Sequence, residues 1–493
     1  MNPQIEKAIA SAGELMEEHG ESPDGRATTS PENGRKGGRT PIDWGKVAEA
    51  YMKTTGRVVR WRKEGYYEYN PATGAYRLNS EKEIASRVGG FLRDPDIPIA
   101  YSVNAERNTV GALRATEDLT DPPPVFLDTG KSAAGWIAMR NGLLNVEAAA
   151  RGEPVGLRKF TPDFFSTYAL PYEWRSAATC PKFMRFIEEA QPDEEGRRMC
   201  QMLAGLLLVP DTSYQVFFVL LGDGGCGKST FMSVLREMVG RENVCRLPLA
   251  DFTDKFKVGL LTAKLANLVD DAPQITDGFR NPMSGIEGIL KEATGGLATM
   301  NYEPKGVDAD TSRLVTARCV FCQNPPLPPF ADRSEALWRR LRVIPFPRRF
   351  YGSTEQNPRL AEEVIAEELP GVFAWAVRGL GMLRKCVVFP QSQAGAAIIE
   401  EHRGNCDRER TFLEERYVVA NGHFIPSREV YSAYGNWCSE NGYNRKNSGN
   451  FMMEVQRVFP PVVRLKKRWE GSPQWGYLNL AEAQEYGGDD DDL

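Results

Sequence analysis

Histidine is scarce in this sequence: His19, His402 and His423 are the only three in 493 residues. None lies near the one C-x-x-C, Cys319-Val-Phe-Cys322, and no second cysteine pair accompanies it. Without a His/Cys set at ligand spacing, that pair reads as part of a buried strand and not as a zinc or redox centre. The nine cysteines, an odd number scattered through apolar segments, fit a reducing cytoplasm better than a disulfide framework. No apolar run approaches the roughly 20 residues that cross a bilayer. The N-terminal MNPQIEKAIASAGELMEEHG also lacks a signal-peptide core. The expectation is therefore a cytoplasmic chain with no membrane partner. Basic excess is missing too. A net charge of −5 excludes a globally basic nucleic-acid coat and leaves such contacts to local patches. Internal repeats are absent, and the 41% hydrophobic content is that of an ordinary folded protein with about two to four domains.

What is present is organised around Gln215–Gly240, QVFFVLLGDGGCGKSTFMSVLREMVG. It reads as a buried strand (Val216–Leu221), a glycine loop, and a helix beginning near Ser229. The loop from Gly222 to Ser229 fits G-x-x-x-x-G-K-[ST], the phosphate-cradling pattern. Gly222, Gly224, Gly225 and Gly227 let backbone N–H groups turn inward on an anion, with Cys226 and Thr230 in the same cradle. The helix N-terminus adds its positive dipole end. Lys228 is placed to reach the β- and γ-phosphates, and the Ser229 hydroxyl to ligate Mg²⁺. The prediction is a nucleoside triphosphate site, with ATP and Mg²⁺ as the expected pair.

A phosphate loop hydrolyses nothing without acids at the tip of a neighbouring strand. Lys264-Leu-Ala-Asn-Leu-Val-Asp270-Asp271 is an apolar run ending in two carboxylates, the Walker B pattern. One acid holds the Mg²⁺ water shell and the other polarises the attacking water. Asp270 is assigned to the metal and Asp271 to the water, with the reverse assignment open. Val320-Phe-Cys-Gln-Asn324 is a second apolar run ending in a polar amide, suited to sensing a γ-phosphate. Trp338-Arg339-Arg340-Leu-Arg342 places arginines where a neighbouring subunit's γ-phosphate could meet one; surface ion pairing is the plainer alternative. Arg93-Asp-Pro-Asp96 contains a D-x-D, but Pro95 makes it a surface turn.

The order of these motifs carries a resemblance. The P-loop, NLVDDAP, Leu290-Lys291-Glu-Ala-Thr294-Gly295-Gly296, Asn324-Pro-Pro-Leu-Pro328 and WRRLRVIPF together resemble a superfamily 3 helicase. More narrowly they are similar to the helicase module of phage, plasmid and poxvirus-type helicase-primases. Upstream, Met139-Arg-Asn141-Gly142 and Cys180-Pro-Lys-Phe183 belong to the same likeness, which spans roughly residues 130–390. The resemblance implies an α/β fold: an AAA+-type P-loop core, an α+β N-terminal collar and a C-terminal winged helix. It also implies a ring, commonly a hexamer, around single-stranded DNA. Asn324 becomes the sensor, Arg340 the first candidate for an arginine finger and Arg339 the second. The segment Leu297–Thr311 corresponds to the channel hairpin, with Lys305 following phosphates and Tyr302 stacking on a base. A solvated loop lysine is the plainer reading of Lys305. No primase-type acid–histidine set is recognisable, so priming is expected from a separate primase or host replication proteins.

On this reading residues 1–40 are a flexible polar tail and 41–185 the collar. The ATPase core covers 186–350, a helical lid and linker 351–405, the winged helix 406–482 and an acidic tail 483–493. Cys180–Leu208, leading into the P-loop strand, is expected to be helical. Arg359–Arg384 is expected to be helical with a break at Pro370-Gly371, and Phe389–Asn405 a linker or lid. In the C-terminal piece Ser427–Asn441 and Asn447–Phe459 read as helices, the first capped by Ser427. Val462–Trp469 and the run from Trp475 read as a hairpin turning near Gly471-Ser-Pro473. Arg464, Lys466, Lys467 and Arg468 on the wing, with Arg445 and Lys446 before the second helix, are the candidate contacts to duplex origin DNA. Protein docking is the other use of such a module. The function expected is an ATP-driven ring helicase replicating a phage, plasmid or other mobile element, moving 3′→5′ on single-stranded DNA. The rival is an oligomeric, DNA- or partner-binding ATPase switch of the interference or defence kind, without processive unwinding.

Overall fold

Strand order in the central sheet decides which side chains can meet. The computed structural model describes residues 42–61, 65–114, 118–119, 123–254, 256–262, 264–270, 283–296, 299–301, 312–328, 330, 335–352 and 356–483. They fall into two units: one holds the N-terminal region, the central sheet and its helices to Pro390, and the other holds Gln391 onward with two short upstream pieces.

The first unit opens with the helix Trp44–Thr55, whose N-terminus is capped by the Asp43 carboxylate. A small sheet follows, ordered Ala75–Asn79, Tyr66–Asn70, Val58–Trp61 and Asp118–Leu119. Its hairpin turns at Asn70–Gly74, a stretch whose Asn, Pro and Gly suit a turn. Ser80 and Glu83 form a reciprocal capping box at the start of the helix Glu81–Leu92.

Five parallel strands form the main sheet: β1 (Phe217–Leu221), β2 (Val244–Cys245), β3 (Ala266–Val269), β4 (Arg318–Gln323) and β5 (Leu341–Pro345). Their order is β2-β3-β4-β1-β5. Every residue of β1 and β4 is buried, as continuous apolar runs covered on both faces must be. Cys319 and Cys322 lie inside β4, and burial pushes the Cys319 thiol up to about 12, so the C-x-x-C is strand core. Thr299–Asn301 pairs antiparallel with Ser312–Leu314 just ahead of β4; the intervening tip, with Tyr302 and Lys305, lies outside the described residues.

Around the sheet lie α1 (Pro181–Ala190), α2 (Glu194–Leu206), α3 (Lys228–Val239), α4 (Leu360–Glu367) and α5 (Leu369–Leu383). The single helical stretch expected over Cys180–Leu208 is thus two helices. Pro192 separates them, and Asp193 caps the second by accepting from Gly196 N at 2.6 Å. The break expected at Pro370-Gly371 falls instead at Glu368. Pro370 occupies the first turn of α5, where its missing N–H goes unneeded. The Glu368 carboxylate accepts from the Lys182 and Phe183 amides, 3.0 Å each, and so caps α1, which Cys180 leaves uncapped. A Cβ on Gly379 of α5 would meet the Gln201 carbonyl oxygen of α2 at 1.9 Å, so these helices approach backbone to backbone.

Most of Phe389–Asn405, the expected linker or lid, falls in the second unit and is helical. Gln393–Cys406 is a helix, α6, capped by Ser392 Oγ accepting from Gly395 N at 3.1 Å. There follow α7 (Arg408–Arg416), β6 (Tyr417–Pro426), α8 (Ser427–Glu440), α9 (Ser448–Val458), β7 (Val463–Trp469) and β8 (Ser472–Glu482). The sheet is antiparallel, ordered β6-β8-β7. Pro426, not Ser427, stands at the cap of α8, and Ser427 makes no capping hydrogen bond. Asn447 does cap α9. The β7–β8 turn is Glu470-Gly471, both at positive φ, a tight reversal matched to strand twist. Phe412, Tyr434, Trp437 and Phe451 fill the core, with the Tyr434 and Phe451 rings stacked at 4.2 Å. Among the described residues no helix is long and apolar enough to cross a membrane.

Candidate functional site

β1 ends at Leu221 and α3 begins at Lys228, so the glycine loop joins a buried strand directly to a helix N-terminus. Gly227 caps α3 at φ 90°, a left-handed conformation, and a Cβ there would lie 2.8 Å from the Phe186 ring. The loop is held from outside by Phe350 N, which donates to Gly225 O at 2.9 Å. Lys228 is buried. Its ammonium donates to Gly222 O (2.5 Å), Asp223 O (2.9 Å) and Asn324 Oδ1 (3.1 Å), and lies 3.3 Å from Cys226 Sγ.

Asn324 arrives there through register. β4 pairs with β1 so that Gln323 lies opposite Leu221, which sets Asn324 beside Gly222 at the loop's entrance. The strand order does the rest, since β4 sits between β1 and β3, whose tip carries Asp270. A cavity of about 430 Å³ gathers Gly224 to Thr230, Asp270, Gln323 and Asn324 on one side. Phe186, Phe350, Tyr351 and Leu360 give it an aromatic and apolar side.

Asp270 Oδ2 accepts from Arg246 Nη2 at 2.8 Å and from Arg236 Nη2. Its other oxygen, Oδ1, is buried with no hydrogen-bond partner among the described residues. Asp270 and Ser229 line one cavity, and a carboxylate with a hydroxyl is a donor set that fits Mg²⁺ and its water shell. Ser229 and Asp270 would hold such a metal and its waters, and it would supply positive charge against the phosphates. Asp271, the other acid, lies outside the described residues.

Arg340 is elsewhere. Its carbonyl accepts from Phe217 N at 3.0 Å, at the start of β1 and β5, and its guanidinium reaches Gln215 Oε1 at 3.5 Å. Since the strands run parallel, this is the end of the sheet opposite the phosphate loop, roughly 15–20 Å away along the strands. The sheet therefore keeps Arg340 apart from its own chain's Lys228. Arg339 is exposed at the end of the short helix Glu335–Trp338.

In the second unit Arg464, Lys466, Lys467 and Arg468 are all exposed on β7. Lys446 is not available in the same way: its ammonium pairs with Glu409 (3.2 Å) and Glu454 (3.1 Å) and ties α7 to α9. The Arg445 guanidinium lies over the Tyr431 ring at 5.2 Å. Both arginines on Asp270 escape sequence reasoning: Arg246 is brought there by the β2–β3 pairing, and Arg236 reaches across from α3. Trp475, which the sequence places in the hairpin without a role, is exposed on β8.

Residues 220–340 match a family of unknown function (DUF5906), and residues 410–482 match the family described as Poxvirus D5 protein-like. The chain is 23% identical over 316 residues to "Putative helicase 121R" of Invertebrate iridescent virus 3, covering 57% of this chain and 32% of that one. It is 25% identical over 290 residues to "Putative helicase L207/L206" of Acanthamoeba polyphaga mimivirus, covering 54% and 27%. It thus spans about a third or less of the length of these curated relatives. Among solved structures, the C-terminal region of NrS-1 in its apo form shares the fold at TM-score 0.51 and 12% identity, over 89% of this chain and all of that one. With the phosphate loop, the acid-tipped β3 and the Asn-tipped β4 in one sheet, these likenesses make the chain similar to superfamily 3 helicases of the poxvirus-type helicase-primase kind.

Proposed function

We propose that the chain is an ATP-dependent DNA helicase of a phage, plasmid or other mobile element, working as a ring, by family habit a hexamer, that moves 3′→5′ along a single strand. The observation that carries this reading is the division of the sheet. Lys228, Ser229, Asp270 and Asn324 converge at one end, and Arg340 stands at the other. On this reading each copy offers a phosphate site at one end of its sheet and, at the other, an arginine for a neighbouring copy's site. The strand order and loop support an AAA+-type core, the hairpin ahead of β4 supports a channel loop, and α8, α9 and the β7–β8 hairpin support a C-terminal winged helix.

Chemically, triphosphate binding draws the Lys228 ammonium off the loop carbonyls and onto the β- and γ-phosphates. Asn324, released from Lys228, is then free to orient the attacking water. A neighbour's Arg340 neutralises charge on the transferring group, an effect worth roughly 10³–10⁵ in rate. Strand displacement tests the reading: Lys228→Ala should abolish both ATPase and unwinding. Unwinding at the parent rate by that variant would refute the site, and DNA-stimulated hydrolysis with no unwinding would support the ATPase-switch reading instead.

A further inference from the structure

The β7–β8 hairpin carries a tryptophan whose surroundings ask for a flat ligand. Trp475 is 51% exposed, although it lies on a strand whose neighbouring Gly476 and Tyr477 are buried. The register puts Arg464 opposite Tyr477, Lys466 opposite Trp475 and Arg468 opposite Pro473, so the three cations share one face with the indole. The Arg464 guanidinium lies 4.8 Å from its ring centroid. On the other face, Trp469 is covered by the Phe424 ring at 5.6 Å. Trp475 has no such ring among the described residues. From Val463 to Leu478 the hairpin carries four cations and one acid, Glu470 at the turn.

An exposed indole beside a guanidinium, within a row of cations spaced along a strand, is the makeup of a stacking platform on a phosphate track. We infer that this face of the hairpin binds an unpaired nucleic-acid strand, with a base stacked on Trp475 and phosphates on Arg464, Lys466 and Arg468. A base inside a duplex has both faces stacked already, so the platform selects single strands, tails and forks over blunt duplex. This rests on the reading of the hairpin as a nucleic-acid contact and adds to it which form is bound and by which residue.

The test uses the full chain with three fluorescent DNAs: a single strand, a forked duplex and a blunt duplex. Trp475→Ala should weaken binding to the single strand and the fork by on the order of ten-fold and leave the blunt duplex unchanged, with Trp475→Phe keeping most of the affinity. An iodouracil-substituted single strand should also crosslink to the peptide containing Trp475. Equal loss on all three DNAs, or no loss and no crosslink, overturns the inference. A triple Arg464, Lys466, Arg468→Ser variant separates the two readings. If it weakens binding while Trp475→Ala does not, the hairpin contacts DNA without stacking. If neither variant changes binding to any DNA, the hairpin is not a nucleic-acid contact at all.

Discussion

The Lys228 ammonium sits 3.1 Å from Asn324 Oδ1, joining the phosphate loop to the tip of the neighbouring strand. A lysine that also holds two loop carbonyls is parked with its charge shared among neutral acceptors, and a triphosphate offers it a stronger partner. Asn324 should therefore matter to hydrolysis more than to binding. Asn324→Ala should bind a fluorescent ATP analogue within about three-fold of the parent and hydrolyse ATP roughly a hundred-fold more slowly. Equal losses in binding and turnover would mean that Asn324 only supports the loop.

Arg236 reaches Asp270 from α3, the helix that carries Lys228, and so ties the loop's helix to the acid-tipped strand. Both side chains are about four-fifths buried. Arg236→Ala leaves Asp270 with the exposed Arg246 alone, and the expected loss is about 1–3 kcal/mol in urea denaturation. The same variant should need more Mg²⁺ for half-maximal ATPase, because the Asp270 carboxylate at the cavity loses one of the two arginines that hold it. Arg236→Lys should recover part of both.

Gly379 offers a test of the packing beneath the site. Its absent side chain lets α5 lie against the backbone of α2, and an added methyl would have to displace the Gln201 carbonyl, which is main chain and cannot swing away. Gly379→Ala should lower the melting temperature, with a loss of about 2 kcal/mol or more. A variant as stable as the parent would show that the two helices are not in such close contact.

His402 predicts a pH dependence in the second unit. Burial pushes its pKa below the ordinary 6.5, while the ring contacts Phe330 and Trp338 and its Nε2 lies 2.8 Å from Pro328 O. The unfolded chain then binds a proton more readily than the folded one, so stability is full above about 6.5 and is lost as pH falls toward the folded value. Chemical denaturation across that window should show the decline in the parent and a flatter profile in His402→Leu. An unchanged slope would assign the acid sensitivity to other groups.

Much of this was readable in the sequence, for physical reasons that differ by segment. The β1-loop-α3 unit announces itself because a buried run, glycines at fixed offsets and a lysine at a helix start are local requirements. Asn324 was readable for the same reason, as the polar end of an apolar run. β6 was not: a register shift between Val419 and Phe424 breaks the alternation by which a half-buried strand is recognised. The bounds of α6 within the expected helical lid and linker were not legible although Ser392 stands at its cap, because its apolar spacing is weak. The arginines on Asp270 and the ion pairs on Lys446 depend on strand and helix neighbours far away in the chain, which no local pattern encodes.

In the proposed ring one copy completes another's site. Arg340→Ala protein and Lys228→Ala protein, each inactive alone, should recover ATP hydrolysis when mixed in the presence of single-stranded DNA, since mixed interfaces then pair an intact loop with an intact arginine. If the mixture hydrolyses no more than the separate variants at any ratio, the shared site is wrong.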